Sequence, residues 1–262
     1  MFRKTSPLQS KSEILLRNIT VTGMILFYTV FLLVPIGIAF AGSFHEWNPL
    51  SGIYRFNGIE NYVSVFTSAL FGKSMLNTLI FSVVVIFFRV GLGLAIAIAI
   101  YSNLIKHKSF FRAIYYMPVV TPMVAVAFVW KFLYNPQIGA INQILGLDIN
   151  WLMNPKTALL AIMIMTIWKD FGYAVVMFMA GLYSLPSDAM EAAKVDGASR
   201  LQMIWYITIP SLLPTYFVLL MLNIANFLSN GMEQYYVFQN AFNKETIQVL
   251  DLYVYNTAMG SG

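Results

Sequence analysis

Long apolar stretches alternate with short polar segments along nearly the whole chain. A helix of about 20 apolar residues covers the roughly 30 Å of membrane hydrocarbon, and five stretches reach or approach that length. Because hydrocarbon offers the backbone no hydrogen-bond partner, each stretch is predicted to be helical. The predicted spans are residues 19–40, 77–101, 113–133, 157–183 and 211–228.

These spans predict an all-α polytopic membrane protein. Residues 1–18 are polar and are expected to form a tail, and residues 19–262 are expected to form one membrane domain. The apolar run after the tail is longer than the 7–15 residues, approximately, of a cleavable signal core, so the first span is expected to remain as an anchor. Five is an odd number of spans for such a protein, and a sixth span is expected after residue 262.

Composition supports the membrane prediction and excludes several kinds of site. The chain is 59% hydrophobic and 10% charged, with a mean hydropathy of +0.70, whereas soluble domains have about 45–50% apolar and about 25% charged residues. It contains no cysteine, which excludes disulfides, thiolate metal sites and cysteine nucleophiles. His45 and His107 lie in separate polar segments, so no zinc-binding spacing can be built from them.

Lysines and arginines in the short polar segments predict the orientation. With a cytoplasmic N-terminus, nine of them lie inside and four outside, as the positive-inside rule favours. The net charge of +5 is therefore attributed to membrane topology, and no nucleic-acid partner is expected. The inner set is Arg3, Lys4, Lys11, Arg17, Lys106, Lys108, Arg112, Lys194 and Arg200, and the outer set is Arg55, Lys73, Lys156 and Lys244.

The polar segment of residues 184–210 lies between the fourth and fifth predicted spans, on the cytoplasmic side in this orientation. It is predicted to form two short helices, the first capped by Ser184 or Ser187 and the second by Ser199 or by the aspartate before Gly197. Gly197 is expected to separate them, because glycine adopts backbone angles that other residues resist. Small residues let another backbone approach closely, which favours a docking surface. The alternative is an amphipathic connector lying on the lipid surface.

A motif within this segment carries a resemblance to a known family. Glu191-Ala192-Ala193, then Gly197, Ile207 and Pro210 resemble the EAA loop of permease subunits in binding-protein-dependent ABC importers. The family usually has leucine where Ile209 stands. In that family the loop is a coupling helix that sits in a groove of a cytoplasmic ATPase. The resemblance assigns ATPase coupling to Glu191, Ala192, Ala193, Asp196, Gly197 and Ala198.

The resemblance covers most of the chain. Residues 56–66, 76–100, 110–145 and 167–186 are similar to carbohydrate-importer permeases of the maltose-transporter type, and residues 231–242 to a subgroup that handles oligosaccharides from complex polysaccharides. This implies a six-helix permease core in a bacterial cell membrane. The implied partners are a second permease in a heterodimer, two copies of a cytoplasmic ABC ATPase that binds ATP and Mg²⁺, and an extracytoplasmic solute-binding protein. No cofactor is expected in this chain.

Charged and amide side chains lie within the predicted spans. A charge at the bilayer centre costs about 2.5–3.5 kcal/mol on insertion scales, so each one indicates a function or a partner. Arg89 is predicted near the middle of the second span, and Lys169 and Asp170 near the middle of the fourth. Asn223 and Asn226 are three residues apart, which places them on one face of the fifth span.

These residues support two interpretations. As a substrate path, the charges and amides would hydrogen-bond a sugar beside the flat faces of Trp168 and Tyr173. As structural groups, Arg89 and Asp170 would pair with each other, and the asparagines would join helices.

The balance of charge within the spans suggests a substrate. Arg89, Lys131 and Lys169 are cations opposed by Asp170. If all of them line one cavity, an acidic oligosaccharide such as a uronate is favoured over a neutral one. Lys131 lies near a span end, where its side chain can reach the interface.

Missing motifs argue against an enzyme. The chain has no phosphate-binding GxxxxGK[ST] loop and no serine in a nucleophile elbow, so a partner is expected to hydrolyse ATP. Four alternatives remain: an importer of glycerol phosphate, polyamine or amino acid, an ATPase-independent secondary transporter, a channel, and a membrane enzyme acting on lipid-linked sugar.

Overall fold

A computed structural model describes residues 11–48, 51–102, 108–185, 187–228 and 231–260. Over these residues the chain is mostly helical, as predicted, and a two-stranded hairpin is the only sheet. The chain divides after Ser68 into two compact units.

The first unit begins with a long membrane helix. Helix α1 (Lys11–Tyr28) continues through a π-helical turn (Thr29–Leu33) into α2 (Val34–Gly42). The 31 residues Ser12–Gly42 include an 18-residue stretch with a mean hydropathy of 2.4, and the helix is long and apolar enough to cross a membrane. The helix therefore begins at Lys11, inside the predicted tail of residues 1–18, because the polar residues before the apolar run are also helical.

A hairpin and a short helix complete the first unit, and the apolar pattern predicted neither. Strand β1 (His45–Asn48) pairs antiparallel with β2 (Ile53–Phe56), and α3 (Glu60–Thr67) follows. Strands of four residues are too short to register in a search for stretches of membrane-spanning length.

The second unit holds the remaining helices. They are α4 (Ala69–Tyr101), α5 (Lys108–Val120), α6 (Met123–Leu133), α7 (Ala140–Leu145), α8 (Pro155–Tyr183), α9 (Ser187–Val195), α10 (Arg200–Met203), a π-helical turn (Ile204–Thr208), α11 (Ile209–Ser211), α12 (Leu213–Ala225), α13 (Met232–Phe238) and α14 (Leu250–Gly260).

Helices α4 and α8 form the centre of this unit and run parallel. The guanidinium of Arg89 meets the carboxylate of Asp170, and one turn further along both helices the backbone of Gly93 lies against Ala174. From the first contact to the second, both helices advance by four residues toward their C-terminal ends, so their axes are parallel. Both helices end at the residues predicted for the second and fourth spans, and both begin earlier than predicted.

The third predicted span is broken, which corrects the expectation of a continuous helix. The chain bends by 110° between α5 and α6. The break falls at Pro122, which has no backbone N–H to donate and disfavours helical geometry at Thr121 before it.

The broken pair nevertheless runs antiparallel to α8 as a whole. Near its start, the backbone carbonyl of Tyr115 lies beside Gly172. After its end, the Tyr134 hydroxyl donates to the carbonyl of Ala161 at 2.8 Å. The contacts thus move back along α8 as the chain advances, which lets α4 and α8 cross a membrane in the same direction.

The fifth predicted span is also bent. The chain bends by 53° between residues Arg200–Ser211 and α12, between Pro210 and Pro214. Helix α12 ends at Ala225, three residues before the predicted end. The described residues contain three uninterrupted helices long and apolar enough to cross a membrane, or up to five if each bent pair counts as one.

Residues 231–249 follow the fifth predicted span and pack into one end of the bundle. Tyr235, Phe238 and Ile247 are fully buried in the same core cluster as residues of α4, α6 and α8. The Asn77 amide near the start of α4 donates to the carbonyls of Thr246 and Gln248 at 3.1 and 2.9 Å. The sequence did not reveal this core, because apolar and polar residues alternate in the segment. The polar side chains can be buried there because they form hydrogen bonds with the backbone.

The contact between α4 and α8 gives a first testable result. An alanine Cβ at Gly93 would lie 2.5 Å from the Ala174 Cβ, whereas one at Gly91, two residues earlier, meets no atom within 4 Å. Gly93→Ala is expected to destabilise the fold by about 1–3 kcal/mol through overpacking. Gly91→Ala is the matched control, and helix propensity favours it by up to about 1 kcal/mol. Melting temperatures of the purified protein in lipid nanodiscs measure both, and equal values would contradict the close packing.

Candidate functional site

A small polar cavity lies near the middle of α8. Its volume is about 160 Å³, and its walls come from α4, α8, α12 and the start of α6. Six of its lining residues are polar, which is unusual at this depth in an apolar bundle. They are Ser82, Arg89, Thr166, Asp170, Asn223 and Asn226.

Arg89 and Asp170 form an ion pair at the edge of this cavity. The Arg89 Nη1 atom is 3.6 Å from Asp170 Oδ2, and the side chains are 23% and 25% exposed. The two groups are therefore partners, as the structural interpretation predicted, and they also line the cavity, so their role in a substrate path stays a prediction. Partial exposure leaves the pair open to a competing ligand.

Lys169 is tied to the helix break rather than to the cavity. Its ammonium is 3.4 Å from Asp170 Oδ1 and 3.4 Å from the carbonyl of Val119. That carbonyl belongs to the last turn of α5, where helical carbonyls lack partners and the helix dipole favours a cation. Adjacent residues point about 100° apart on a helix, but the long lysine side chain folds back far enough to reach Asp170.

Asn223 and Asn226 line the cavity together, as their spacing predicted. Their amide nitrogens donate to the carbonyls of Leu219 and Leu222 at 2.6 and 2.8 Å, within their own helix. The described hydrogen bonds therefore do not join helices through these amides. Each side-chain oxygen keeps its capacity to accept a hydrogen bond from a ligand.

The two predicted aromatic residues lie outside the cavity lining, which corrects the expectation of a shared site. The Trp168 ring packs against Trp130 at 5.4 Å between centroids. It is two residues from Asp170, about 200° around the helix. Tyr173 is about half exposed and lies nearly one turn beyond Asp170.

The expected cluster of three cations is also not formed. Of the three, Arg89 alone lines the cavity. The Lys131 ammonium donates to the carbonyl of Val237 at 3.0 Å and is exposed, so it fixes α13 against α6. Lys169 does not line the cavity, and its ammonium contacts Asp170 instead.

Seven of the lining residues escaped the sequence analysis, and two of these, Ser82 and Thr166, are polar. Ser82 and Thr166 lie seven and four residues before Arg89 and Asp170, on the same helical faces, so extending those faces would have found them. Phe81 also lines the cavity, and it carries no signal that distinguishes it from other apolar residues of the span.

The polar segment forms the predicted helix pair. Helix α9 ends at Val195, and Gly197 has φ +77°, so the predicted break is confirmed. The amide of Ala198 bonds the carbonyl of Ala193, and that of Gly197 bonds the carbonyl of Lys194. This is the Schellman arrangement, in which glycine supplies the left-handed residue that ends the helix.

Serines cap the neighbouring helix ends. Ser199 caps α10 with a reciprocal capping box, in which its hydroxyl accepts from the Gln202 amide and the Gln202 side chain accepts from the Ser199 amide. This confirms Ser199 as a cap. Ser184 does not cap α9, because its hydroxyl donates to the carbonyl of Gly181 and closes the end of α8.

The predicted coupling residues form an accessible surface at one end of the second unit. Glu191, Ala192, Asp196 and Gly197 are exposed, and Ala193 and Ala198 are partly exposed. Val195 between them is 88% exposed, which is unusual for an apolar side chain held by a defined helix.

A second cavity of about 450 Å³ lies between this helix pair and the ends of α4 and α8. Glu191, Lys194 and Arg200 contribute charged groups to its wall, and Tyr101 closes it at α4. The buried segment of residues 231–249 lies at the opposite end, where α4 begins. The charged mid-span cavity is thus between the exposed helix pair and the packed end. No group of acidic and histidine side chains suited to a metal is present over the described residues.

Membrane helices around a charged cavity, with an accessible helix pair at one end, define a transport permease. The chain belongs to the family of binding-protein-dependent transport system inner membrane components, whose profile matches residues 89–262. It is a multi-pass membrane subunit of a transport system, in agreement with the resemblance found in its sequence.

Known proteins of this kind are similar over most of the chain. The polygalacturonan/rhamnogalacturonan transport system permease protein YteP of Bacillus subtilis (strain 168) is 30% identical over 246 residues, 90% of this chain and 76% of that protein. A crystal structure of a bacterial ABC transporter involved in import of the acidic polysaccharide alginate has a chain with TM-score 0.82 and 25% identity, covering 94% of this chain and 84% of that one. The bacterial alginate transporter in complex with an alginate pentasaccharide-bound periplasmic protein gives TM-score 0.81 and 26% identity, over 94% and 83%.

Proposed function

We propose that this chain is the membrane subunit of an ATP-driven importer for an acidic oligosaccharide. An extracytoplasmic solute-binding protein would deliver the sugar, as the similarity to the alginate transporter and its periplasmic protein suggests. The observation that carries the proposal is Arg89, a partly exposed cation on the wall of a polar cavity within the membrane helices.

The cavity offers chemistry suited to such a sugar. Arg89 can pair with a carboxylate in a planar, charge-assisted hydrogen bond, and Asn223 and Asn226 provide acceptors for hydroxyl groups. Asp170 holds Arg89 when no sugar is bound. A uronate would replace that carboxylate, so the cavity accepts an anion without leaving the guanidinium unpaired.

The size of the cavity supports a second permease subunit. Its 160 Å³ is below the volume of about 300–1,000 Å³ typical of ligand pockets. We therefore assign to this chain one part of the wall, and a homologous partner in a heterodimer would complete the path. The preference between neutral and acidic oligosaccharides would then depend on both subunits.

ATP hydrolysis would act on this chain through the α9–α10 pair. Two cytoplasmic ATPase subunits, which bind ATP and Mg²⁺, would contact Glu191, Asp196 and the small residues around Gly197. The N-terminus would then lie in the cytoplasm, which the distribution of lysine and arginine supports. The membrane would be the bacterial cell membrane.

The test is reconstitution of the complete complex in liposomes with its binding protein. We expect uptake of uronate oligosaccharides to require ATP hydrolysis, and unlabelled uronates to compete better than neutral oligosaccharides of equal length. Uptake that survives ATP depletion under a membrane potential would contradict the importer assignment. Competition by neutral sugars alone, or by glycerol phosphate, polyamine or amino acid, would contradict the proposed cargo.

A further inference from the structure

The β-hairpin that follows the first span has two chemically different faces. In its register His45 opposes Phe56 and Trp47 opposes Tyr54. Since opposed residues of an antiparallel pair project to the same side, these four rings share one face. We call them the aromatic face.

The opposite face is charged. Glu46 and Arg55 are opposed in the register, and the Arg55 Nη2 atom lies 2.8 Å from Glu46 Oε2. Both side chains are well exposed, at 74% for Arg55 and 46% for Glu46. Ile53 also projects to this side and is the one apolar residue there.

The aromatic face is ordered and yet uncovered. The rings of His45 and Tyr54 stack at 4.6 Å with an interplanar angle of 11°, and Phe56 meets His45 edge to face at 5.4 Å. Trp47, Tyr54 and Phe56 are nevertheless 68%, 63% and 68% exposed. Large aromatic surface left in water is costly, at roughly 25 cal/mol per Å² of apolar area.

The hairpin is held directly against the end of the membrane helix. It begins three residues after Gly42, a distance of at most about 10 Å for an extended chain. The His45 ring bonds the carbonyl of Ala41 at 2.9 Å, and the Asn61 amide donates to the carbonyls of Ser43 and His45 at 2.9 and 3.0 Å. These bonds prevent the hairpin from extending away into solution.

Helix α3 adds a second apolar edge to this assembly. Ile59 at its N-cap, Val63 and Phe66 are 65%, 53% and 73% exposed, and their spacing of four and three residues places them on one helical face. The same Asn61 that holds the hairpin belongs to α3. Both elements thus present apolar surface within reach of the span end.

We propose that the aromatic face lies in the lipid headgroup layer where the first span ends, with Glu46 and Arg55 turned to water. Tryptophan and tyrosine are enriched at this depth, because an apolar ring with a polar atom suits a boundary between lipid and water. The surface is continuous with the membrane-spanning helix through Ala41 and Ser43. Anchors of this kind fix the tilt and rotation of a span. The inference does not depend on the transported substrate.

Single-cysteine variants test this placement, and the absence of cysteine from the chain means that no other residue of it needs replacing. Trp47→Cys and its neighbour Glu46→Cys, on opposite faces, carry a nitroxide spin label in the complete complex in nanodiscs. Collision rates with oxygen, which concentrates in lipid, and with a water-soluble nickel chelate are compared. The oxygen-to-nickel ratio is expected to be severalfold higher at residue 47 than at residue 46. The unsubstituted complex gives the background signal.

A second pair of cysteine variants controls for any local effect of removing the Trp47 side chain. Tyr54→Cys and Arg55→Cys are expected to repeat the alternation, with the high oxygen ratio at residue 54. Equal nickel accessibility at all four positions would overturn the proposal. It would also fail if labels at residues 47 and 54 collide freely with nickel and become immobilised only when oligosaccharide or binding protein is added, since the face would then bind that ligand.

Discussion

Gly197→Asp is expected to abolish substrate-stimulated ATP hydrolysis and uptake while leaving membrane insertion intact. The residue has φ +77° at the end of α9, a conformation that costs a non-glycine residue roughly 1–2 kcal/mol. The added carboxylate also projects from a surface of small residues through which we propose that an ATPase contacts the chain. Stimulated hydrolysis by the reconstituted complex is expected to fall at least about tenfold, which corresponds to about 1.4 kcal/mol in the barrier.

Gly146→Asp is the matched control for this substitution. Gly146 ends the short helix α7 with φ +63°, and a Cβ there meets no atom within 4 Å, as at Gly197. The backbone strain is therefore similar, but the position is outside the proposed coupling surface. Stimulated hydrolysis is expected to stay near the unsubstituted rate. Equal losses in both variants would attribute the effect to strain, and unchanged transport in Gly197→Asp and Glu191→Lys would remove the coupling role from this segment.

Arg89→Gln is expected to cause the largest change in substrate preference. Loss of a hydrogen bond to a charged group costs about 1.5–3 kcal/mol, or on the order of 10–100-fold in affinity. The KM for uronate oligosaccharide uptake should rise by that factor, and the KM for a neutral oligosaccharide of equal length should change little. Competition between the two sugars in the reconstituted complex measures the ratio directly.

Two further variants separate charge from folding. Asp170→Asn removes the carboxylate that competes for Arg89, so preference for the acidic sugar should increase, in the opposite direction to Arg89→Gln. Arg55→Gln removes an exposed arginine of a similar ion pair and should leave uptake unchanged, since surface pairs contribute about 0–1 kcal/mol. Equal losses of acidic and neutral transport in Arg89→Gln would make Arg89 structural.

Local signals explain the most accurate predictions. The C-terminal ends of α4 and α8 fall at Tyr101 and Tyr183, where the apolar runs stop. Gly197 and Ser199 were identified because helix ends are determined by a few adjacent residues, through the left-handed conformation and the capping box.

Proline was informative but ambiguous. Pro118, Pro122 and Pro214 lie within or near predicted spans, where neighbouring helices can tolerate a kink. Pro118 lies inside α5, whereas Pro122 coincides with a 110° break. A proline removes a helical hydrogen bond, and the outcome depends on which neighbouring groups bond the freed backbone atoms. At the Pro122 break, the Lys169 ammonium from another helix bonds the carbonyl of Val119.

The sequence by itself determined the class of protein, the location of the membrane helices and the helix pair around Gly197, because hydropathy, helix length and capping act over neighbouring residues. Tertiary structure decided that Arg89 meets Asp170 while Trp168 turns away, and that residues 231–249 pack into the end of the bundle through buried side chains such as Tyr235, Phe238 and Ile247. These outcomes depend on which helix faces meet and in what register. Arg89 and Asp170 are 81 positions apart in the chain. Contacts between such distant residues leave no periodic pattern in a single sequence, so only the packed helices reveal them.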